Sequence, residues 1–367
     1  MALALYRKYR PKKLEDLLGH SVNIAILKNA AKLDRLGHGY LFYGPRGTGK
    51  TTTARLVAKL LNCEKRHDDP EFHKLGEPCN SCRSCREIDS LNSFDVIEID
   101  AASNRGIDEI RNLKESVQTA PASGKYKVYI IDEVHMLTGA AFNALLKTLE
   151  EPPSHAVLIL ATTEYDKLPP TITSRTQRFL FKKIPKAQII EKLSTIAKAE
   201  KINISEDALE LVAASAEGSL RDAESLLDQI SALEGKIDLK SAEAIVGRVG
   251  LARAEHLAEL IFKNDLKASV KYLSELSEEG LNLGQFVKDL VHYLRKVITI
   301  RTSPQAESSI SLELTHEELL RLKKLAASCD PQKHIPLLKS LIRAYAEMRY
   351  SPFAMIPLEI ALIEHLS

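Results

Sequence analysis

Two hydrophobic periods divide the chain. Through the first half, compact apolar runs alternate with helical stripes; through the second, stripes alone continue. GYLFYG (39–44), DVIEID (95–100), KVYIID (127–132), AVLILATT (156–163) and RFLFKK (178–183) are apolar or β-branched runs that end in polar residues. Runs of this kind predict strands buried on both faces. TTARLVAKLL (52–61) and GAAFNALLKTLEE (139–151) lie between them with helical spacing. Strands alternating with helices predict a parallel sheet covered by helices on both faces, with its functional edge at the carboxyl ends of the strands.

After about Pro185 the strand pattern stops. AQIIEKLSTIAKAE (187–200), EDALELVAASAE (206–217), SLRDAESLLDQISAL (219–233) and DLKSAEAIVGRV (238–249) carry helical spacing, with Ser205 and Asp238 placed as helix caps. From about Gly250 to Ser367 the Leu/Ile/Ala stripes go on, with a polar break near Thr302–Ser311. The expected organisation is an α/β domain over 1–184, a small helical domain over 185–247 and a larger helical domain over 248–367.

Composition changes this picture little. The chain has 367 residues, 44% hydrophobic and 27% charged, as in ordinary globular domains. No apolar run is long enough to span a membrane. The apolar start is too short for a signal peptide and its basic residues follow it, so a cytoplasmic protein is the expectation. With 51 basic and 49 acidic residues the net charge is +2, which neither demands nor excludes nucleic acid. The basic stretch Arg7, Lys8, Arg10, Lys12 and Lys13 reads on composition as a solvated face.

Candidate chemistry begins at GPRGTGKT (44–51), between a predicted strand and a predicted helix. Gly44, Pro45, Arg46, Gly47, Thr48, Gly49, Lys50 and Thr51 fill every position of a phosphate loop. Its glycines let backbone N–H groups turn toward phosphates, Lys50 reaches the β- and γ-phosphates, and the Thr51 hydroxyl ligates Mg²⁺. A glycine turn that merely joins strand to helix is the plainer alternative, and the intact motif in its context outweighs it. ATP is the expected ligand. VYIIDEVHML supplies a carboxylate pair at the end of another strand. Asp132 suits the magnesium shell and Glu133 suits activation of the attacking water. His135, two residues on, reads as structural.

Four of five cysteines, Cys63, Cys79, Cys82 and Cys85, sit close together, and Cys329 stands apart as an ordinary buried thiol. In a reducing compartment such a cluster points to metal before disulfide. Four thiolates complete a closed tetrahedral Zn²⁺ site. His67 or His73 in place of Cys63, and iron–sulfur ligation, stay open as alternatives.

The phosphate loop and the Asp-Glu pair resemble those of the AAA+ ATPases. RKYRP (7–11), the cysteine cluster, IDAASNRGIDEIR (99–111), KVYIIDEVHML (127–137), NALLKTLEEPP (143–153), ATTEYDKLPPTITSR (161–175) and GSLRDAESLLDQ (218–229) narrow this further. Together they resemble the tau/gamma family of clamp-loader subunits of bacterial DNA polymerase III, densely over residues 6 to about 230. The resemblance implies an AAA+ domain with an inserted zinc module at 63–85, a helical lid and a helical collar for oligomerisation. It implies Thr163 as sensor 1, Arg221 as the sensor 2 arginine reporting ATP as domain rotation, and Arg175 as an arginine finger acting on a neighbour's ATP. The family's Ser-Arg-Cys motif is Ser174-Arg175-Thr176 here. For DNA it implies backbone contacts by Arg105, Arg111 and Lys147, although Asn104 and Gly106 stand where relatives often carry basic residues.

The implied partners are delta, delta-prime and further tau/gamma copies, the beta sliding clamp and primer–template DNA, at the nucleoid. The expected form is gamma, or tau trimmed to the same three domains. Two other readings compete: a different AAA+ DNA remodeller, for which no helix-turn-helix module stands out, and a non-hydrolysing clamp-loader scaffold, which would lack a working phosphate loop.

Overall fold

Five strands form one parallel sheet: β1 (Gly39–Tyr43), β2 (Val96–Asp100), β3 (Lys127–Asp132), β4 (Ala156–Thr162) and β5 (Gln177–Leu180), in the order β2-β3-β4-β1-β5. The computed structural model describes residues 3–366 except 104–112, 114, 234, 247–248, 280–282, 312–313, 315, 349, 352 and 354. The chain divides into two units, Met1–Ile189 with Gly218–Ser225, and Ile190–Glu217 with Leu226–Ser367. All five apolar runs became strands, the last ending at Leu180, with Phe181 N still donating to Tyr43 O at 2.8 Å.

In the first unit, alternate side chains of each strand enter opposite cores. Tyr40, Phe42, Val128, Ile130, Ile159 and Phe179 pack with Leu27 and Ala31 of α1 (Ser21–Lys32) and Leu56, Val57 and Leu60 of α2 (Lys50–Asn62). Leu41, Tyr129, Ile131, Leu158 and Leu160 pack on the other face with Leu145 and Leu149 of α3 (Gly139–Glu150). Burial on both faces is why the runs of the central strands β1, β3 and β4 are continuously apolar. Each such side chain contributes roughly 1.5–3 kcal/mol of burial. The edge strands β2 and β5 are only partly buried, against the expectation of burial on both faces.

Strand order sets the position of the site. β1 lies between β4 and β5, and register pairs Tyr43 with Thr162 and Asp100 with Asp132. The carboxyl ends of β1, β3 and β4 therefore bring residues 44–51, 132–133 and 162–164 to one edge. That edge, where the strand order reverses, is the usual crevice for ligands.

The second unit is helical among the described residues. α4 (Lys186–Glu200) and α6 (Leu220–Ile230) contribute their later residues to it, beside α5 (Glu206–Ser215) and α7 (Leu239–Val246). Ser205 caps α5 by accepting from Ala208 N at 3.3 Å, and Asp238 accepts from Ser241 N at 2.9 Å, as their positions predicted. Next come α8 (Val249–Phe262), α9 (Leu266–Glu278), α10 (Leu283–Thr302), α11 (His316–Ala327), α12 (Pro331–Glu347) and α13 (Met355–Leu366). α10 is their axis: Phe286, Leu290, Leu294 and Val297 are buried among Leu257, Leu322, Leu341 and Leu362. The predicted polar break holds a 3-10 turn and a one-turn helix, Pro304–Ala306 and Glu307–Ile310. α12 and α13 leave Ile335, Ile342, Ile356, Ile360 and Ile363 exposed. No helix among the described residues is long and apolar enough to cross a membrane.

Candidate functional site

Residues 44–49 turn sharply because three glycines take positive φ: Gly44 at 141°, Gly47 at 72° and Gly49 at 103°. A Cβ at Gly44 would overlap the Phe181 carbonyl, and one at Gly47 the Ser219 hydroxyl. The turn delivers the chain into α2 at Lys50, so the helix N-terminus and its unpaired N–H groups face the loop. Lys50 is 6% exposed, and its Nζ donates to the carbonyls of Gly44 (2.8 Å) and Pro45 (2.7 Å). Burial pushes its pKa down against the pull of Glu133 and Asp132. His20 braces the loop from outside: its Nε2 meets Thr48 O at 2.8 Å, its ring packs edge-on to Phe181, and burial holds its pKa below the usual imidazole range.

The acid pair closes on the loop. Thr51 Oγ1 donates to Asp132 Oδ2 at 2.6 Å, so the two groups suited to a magnesium ion already touch. Glu133 sits in the left-handed region at φ 48°, which turns its side chain out of the strand direction. Its Oε2 accepts from Thr163 N (3.2 Å) and Thr163 Oγ1 (2.8 Å). His135, read from the sequence as structural, has its side chain buried beside the pair, 6% exposed. Its Nδ1 lies 2.9 Å from Thr162 Oγ1 and its Nε2 lies 3.1 Å from Glu164 Oε1.

An open cleft of about 860 Å³, mouth included, runs along this edge. Residues 46–52, Asp132 and Glu133 form its polar end; Pro11, Leu17, Leu18, Ile184 and Leu220 form an apolar wall. Leu220 N donates to Gly47 O at 3.1 Å, which fastens the 218–225 segment to the loop. Arg221 lines the cleft with its guanidinium 4.9 Å from the Tyr6 ring centroid. Arg10 lines it as well, and burial lowers its pKa. The solvated-face reading of the N-terminal stretch is therefore corrected for Arg10. Lys50, Arg10, Arg46 and Arg221 around an apolar wall suit a polyphosphate carrying a flat apolar group.

At the other end of α2 the four cysteine sulfurs lie within 4.8 Å of one another. Tetrahedral thiolates around zinc at about 2.3 Å stand roughly 3.8 Å apart, so a small contraction completes such a site. Backbone N–H groups already point at sulfur: Cys79 N to Cys63 Sγ at 3.4 Å, Cys82 N to Cys79 Sγ at 3.2 Å and Cys85 N to Cys82 Sγ at 3.4 Å. The Cys85 thiol beside it, with the Cys79 N–H, pulls Cys63 down to about 5, while Cys63 and burial push Cys85 up. His67 and His73 turn elsewhere, onto the carbonyls of Leu61, Arg66 and Lys32. Glu77, 5% exposed, ties the module to the turn at 14–16 and to α1. It accepts from Leu14 N (2.7 Å) and Glu15 N (3.2 Å) and pairs with Lys28 at 2.8 Å.

The remaining candidates lie apart. Arg175 is absent from the cleft lining of its own chain. It pairs with Glu150 at 2.6 Å and donates to Thr171 O at 2.9 Å, with its side chain 36% exposed. Lys147 is exposed on α3. Arg105 and Arg111 lie outside the described residues. Sequence reasoning missed Tyr6, Arg10, Leu17, Ile184, Leu220, His20 and Glu77. RKYRP (7–11) was the one local signal for Arg10, and it begins one residue after Tyr6.

Comparison with known proteins fits this geometry. Residues 19–185 match the family described as DNA polymerase III, delta subunit; 188–233 the clamp loader subunit ATPase lid domain; and 237–367 the gamma and tau domain III. The chain is 40% identical to the DNA polymerase III subunit tau of Bacillus subtilis (strain 168), over 98% of this chain and 62% of that one. It is 37% identical to the tau subunit of Escherichia coli (strain K12), over 99% and 55%. It is 34% identical to the subunit gamma of Buchnera aphidicola subsp. Schizaphis graminum, over 99% and 98%. The chain thus spans 62% and 55% of the length of the two tau subunits and nearly the whole gamma subunit.

Proposed function

The chain belongs to the gamma and tau subunit family of DNA polymerase III, and on that footing we propose that it is the ATP-hydrolysing motor subunit of a sliding-clamp loader. The contact that carries the reading is Thr51 against Asp132, with Glu133 beside it and a complete loop over 44–51. Lys50 binds the β- and γ-phosphates, and the N–H groups at the start of α2 cradle them. Arg221, from the 218–225 segment, reaches the same phosphates and senses the nucleotide. The apolar wall takes the base. Thr51 and Asp132 would hold Mg²⁺, which neutralises charge on the phosphates when bound. Glu133 takes the proton of the attacking water, with Thr163 orienting it from the end of β4.

Arg175 serves a neighbour. Its exposure and its absence from its own cleft support delivery in trans, where it would steady the charge of the transferring phosphoryl group. The exposed isoleucines of α12 and α13 would join copies and the delta and delta-prime subunits into a collar. In this assembly ATP binding grips and opens the beta clamp, and primer–template DNA triggers hydrolysis and release. Such a protein works in the cytoplasm, at the nucleoid. Zn²⁺ would occupy Cys63, Cys79, Cys82 and Cys85 as a structural ion, with no position left open for catalysis. DNA would be held through its phosphates, by Lys147 and by Arg105 and Arg111.

Arg175→Ala tests the assembly-dependent part. ATPase of the mixed complex with clamp and primed DNA should fall about 10³-fold, with nucleotide affinity unchanged. An equal loss in the isolated chain would refute action in trans, and no turnover by the wild-type assembly would refute the motor reading.

A further inference from the structure

We propose that His135 is a positioning residue for hydrolysis, holding the Glu133 carboxylate to the segment 162–164 at the end of β4. The inference rests on Glu133 being the water-activating group. The His135 side chain is 6% exposed and stands between two carboxylates: its Nδ1 is 3.4 Å from Glu133 Oε2, and its Nε2 is 3.1 Å from Glu164 Oε1. Thr162 Oγ1, itself fully buried and accepting from Glu164 N at 3.0 Å, meets Nδ1 at 2.9 Å. A carboxylate only accepts, so the ring engages each carboxylate through a hydrogen on the nitrogen that faces it: Nε2–H toward Glu164, which fixes the ring plane, and Nδ1–H toward Glu133 Oε2 and Thr162 Oγ1.

Glu133 needs such a holder. Its bonds to Thr163 occupy one oxygen, Oε2, and its backbone at φ 48° is a conformation that a residue with a side chain holds only when its surroundings impose it. When Glu133 turns to a water it exchanges the Thr163 contacts, and the imidazole wall then keeps the carboxylate from swinging wide. Glu164 also pairs with Lys167 at 2.8 Å, so the far side of the wall is anchored independently of the nucleotide. Displacements of about 1 Å at a reacting group cost up to a hundredfold in rate, the scale on which a positioning residue acts.

The test is steady-state ATPase of the full assembly with clamp and primed DNA, beside ATP affinity and melting temperature of the full chain. His135→Phe should lower kcat about tenfold to a hundredfold, with KM and ATP affinity within about twofold. His135→Asn, whose amide reaches the Nδ1 partners, should recover part of the loss. In a Glu133→Gln background, itself slowed at least about a hundredfold, His135→Phe should add nothing. Wild-type kcat for His135→Phe, or Asn no better than Phe with affinity and melting temperature falling together, would overturn the proposal. So would a further additive loss in the Glu133→Gln background. Should His135→Phe not fold, Glu164→Gln must give the same kcat-only loss, since it removes the ring's anchor at a half-exposed side chain. Wild-type turnover by Glu133→Gln would instead refute the reading of the site and leave His135 without a role in it.

Discussion

The two ends of α2 carry two kinds of site. At Lys50 the polar groups are satisfied by partners they can release: Lys50 by loop carbonyls, Thr51 by Asp132, Glu133 by Thr163. The cleft beside them is open. At Cys63, which follows the last residue of the helix, the sulfurs have one another and backbone N–H groups, and Cys63 and Cys85 are fully buried. The first arrangement suits a ligand that comes and goes, the second a ligand that stays. Lys59, 1% exposed within the same helix, belongs to the second: it reaches Asn80 at 2.9 Å and Asp89 at 2.6 Å, inside and just after the cysteine module.

Breaking the closed end should have the largest effect. Cys85→Ser should lose bound zinc, destabilise the module by several kcal/mol and expose residues 63–90 to protease, with ATP affinity changed less than about threefold. Full zinc content and unchanged protection, read by metal analysis and limited proteolysis, would remove the distinction between the two ends. Lys50→Ala breaks the open end. Nucleotide affinity should weaken about a hundredfold or more with zinc content unchanged, since charged hydrogen bonds to phosphate are lost.

The smallest effect concerns the brace behind the loop. The folded-state pKa of His20 lies below its unfolded value, so the unfolded chain binds the extra proton first. Its contribution is present above about pH 6.5 and is lost as pH falls below that value. His20→Gln should flatten this part of the melting-temperature profile between pH 7.5 and pH 6. An identical slope in wild type and variant would show that His20 is not held neutral.

The comparison also separates what the sequence could reveal. The central strands were legible because burial on both faces leaves continuous apolar runs, and the loop over 44–51 because one turn and one helix start need those residues in that order. The acid pair followed from its place at the end of β3. The apolar wall was not legible: Leu17, Ile184 and Leu220 come from three distant segments and share no local period. Arg10 looked solvated because charge in a short basic stretch usually is. Arg66 and Glu77 drew no reading from the sequence at all. Arg66 is 2% exposed, donating to the carbonyls of Leu60 and Ala31 and pairing with Asp34 at 2.7 Å, and no linear pattern announces so buried a charge. Thr163, Arg175 and Arg221 drew their roles from resemblance, since residue type alone would have left the two arginines as surface groups.

The lysine folded onto Gly44 and Pro45 has a consequence for selectivity. With its ammonium already coordinated, the loop gives an incoming anion no bare charge to settle on, so binding is a substitution reaction. The entering group must outbid two carbonyls at once. A lone chloride or sulfate trades one partner for another at little gain, whereas a chain of phosphates also engages the helix N-terminus and the flanking arginines. The parked lysine thus sets a threshold that a chain of phosphates crosses more easily than a lone small anion.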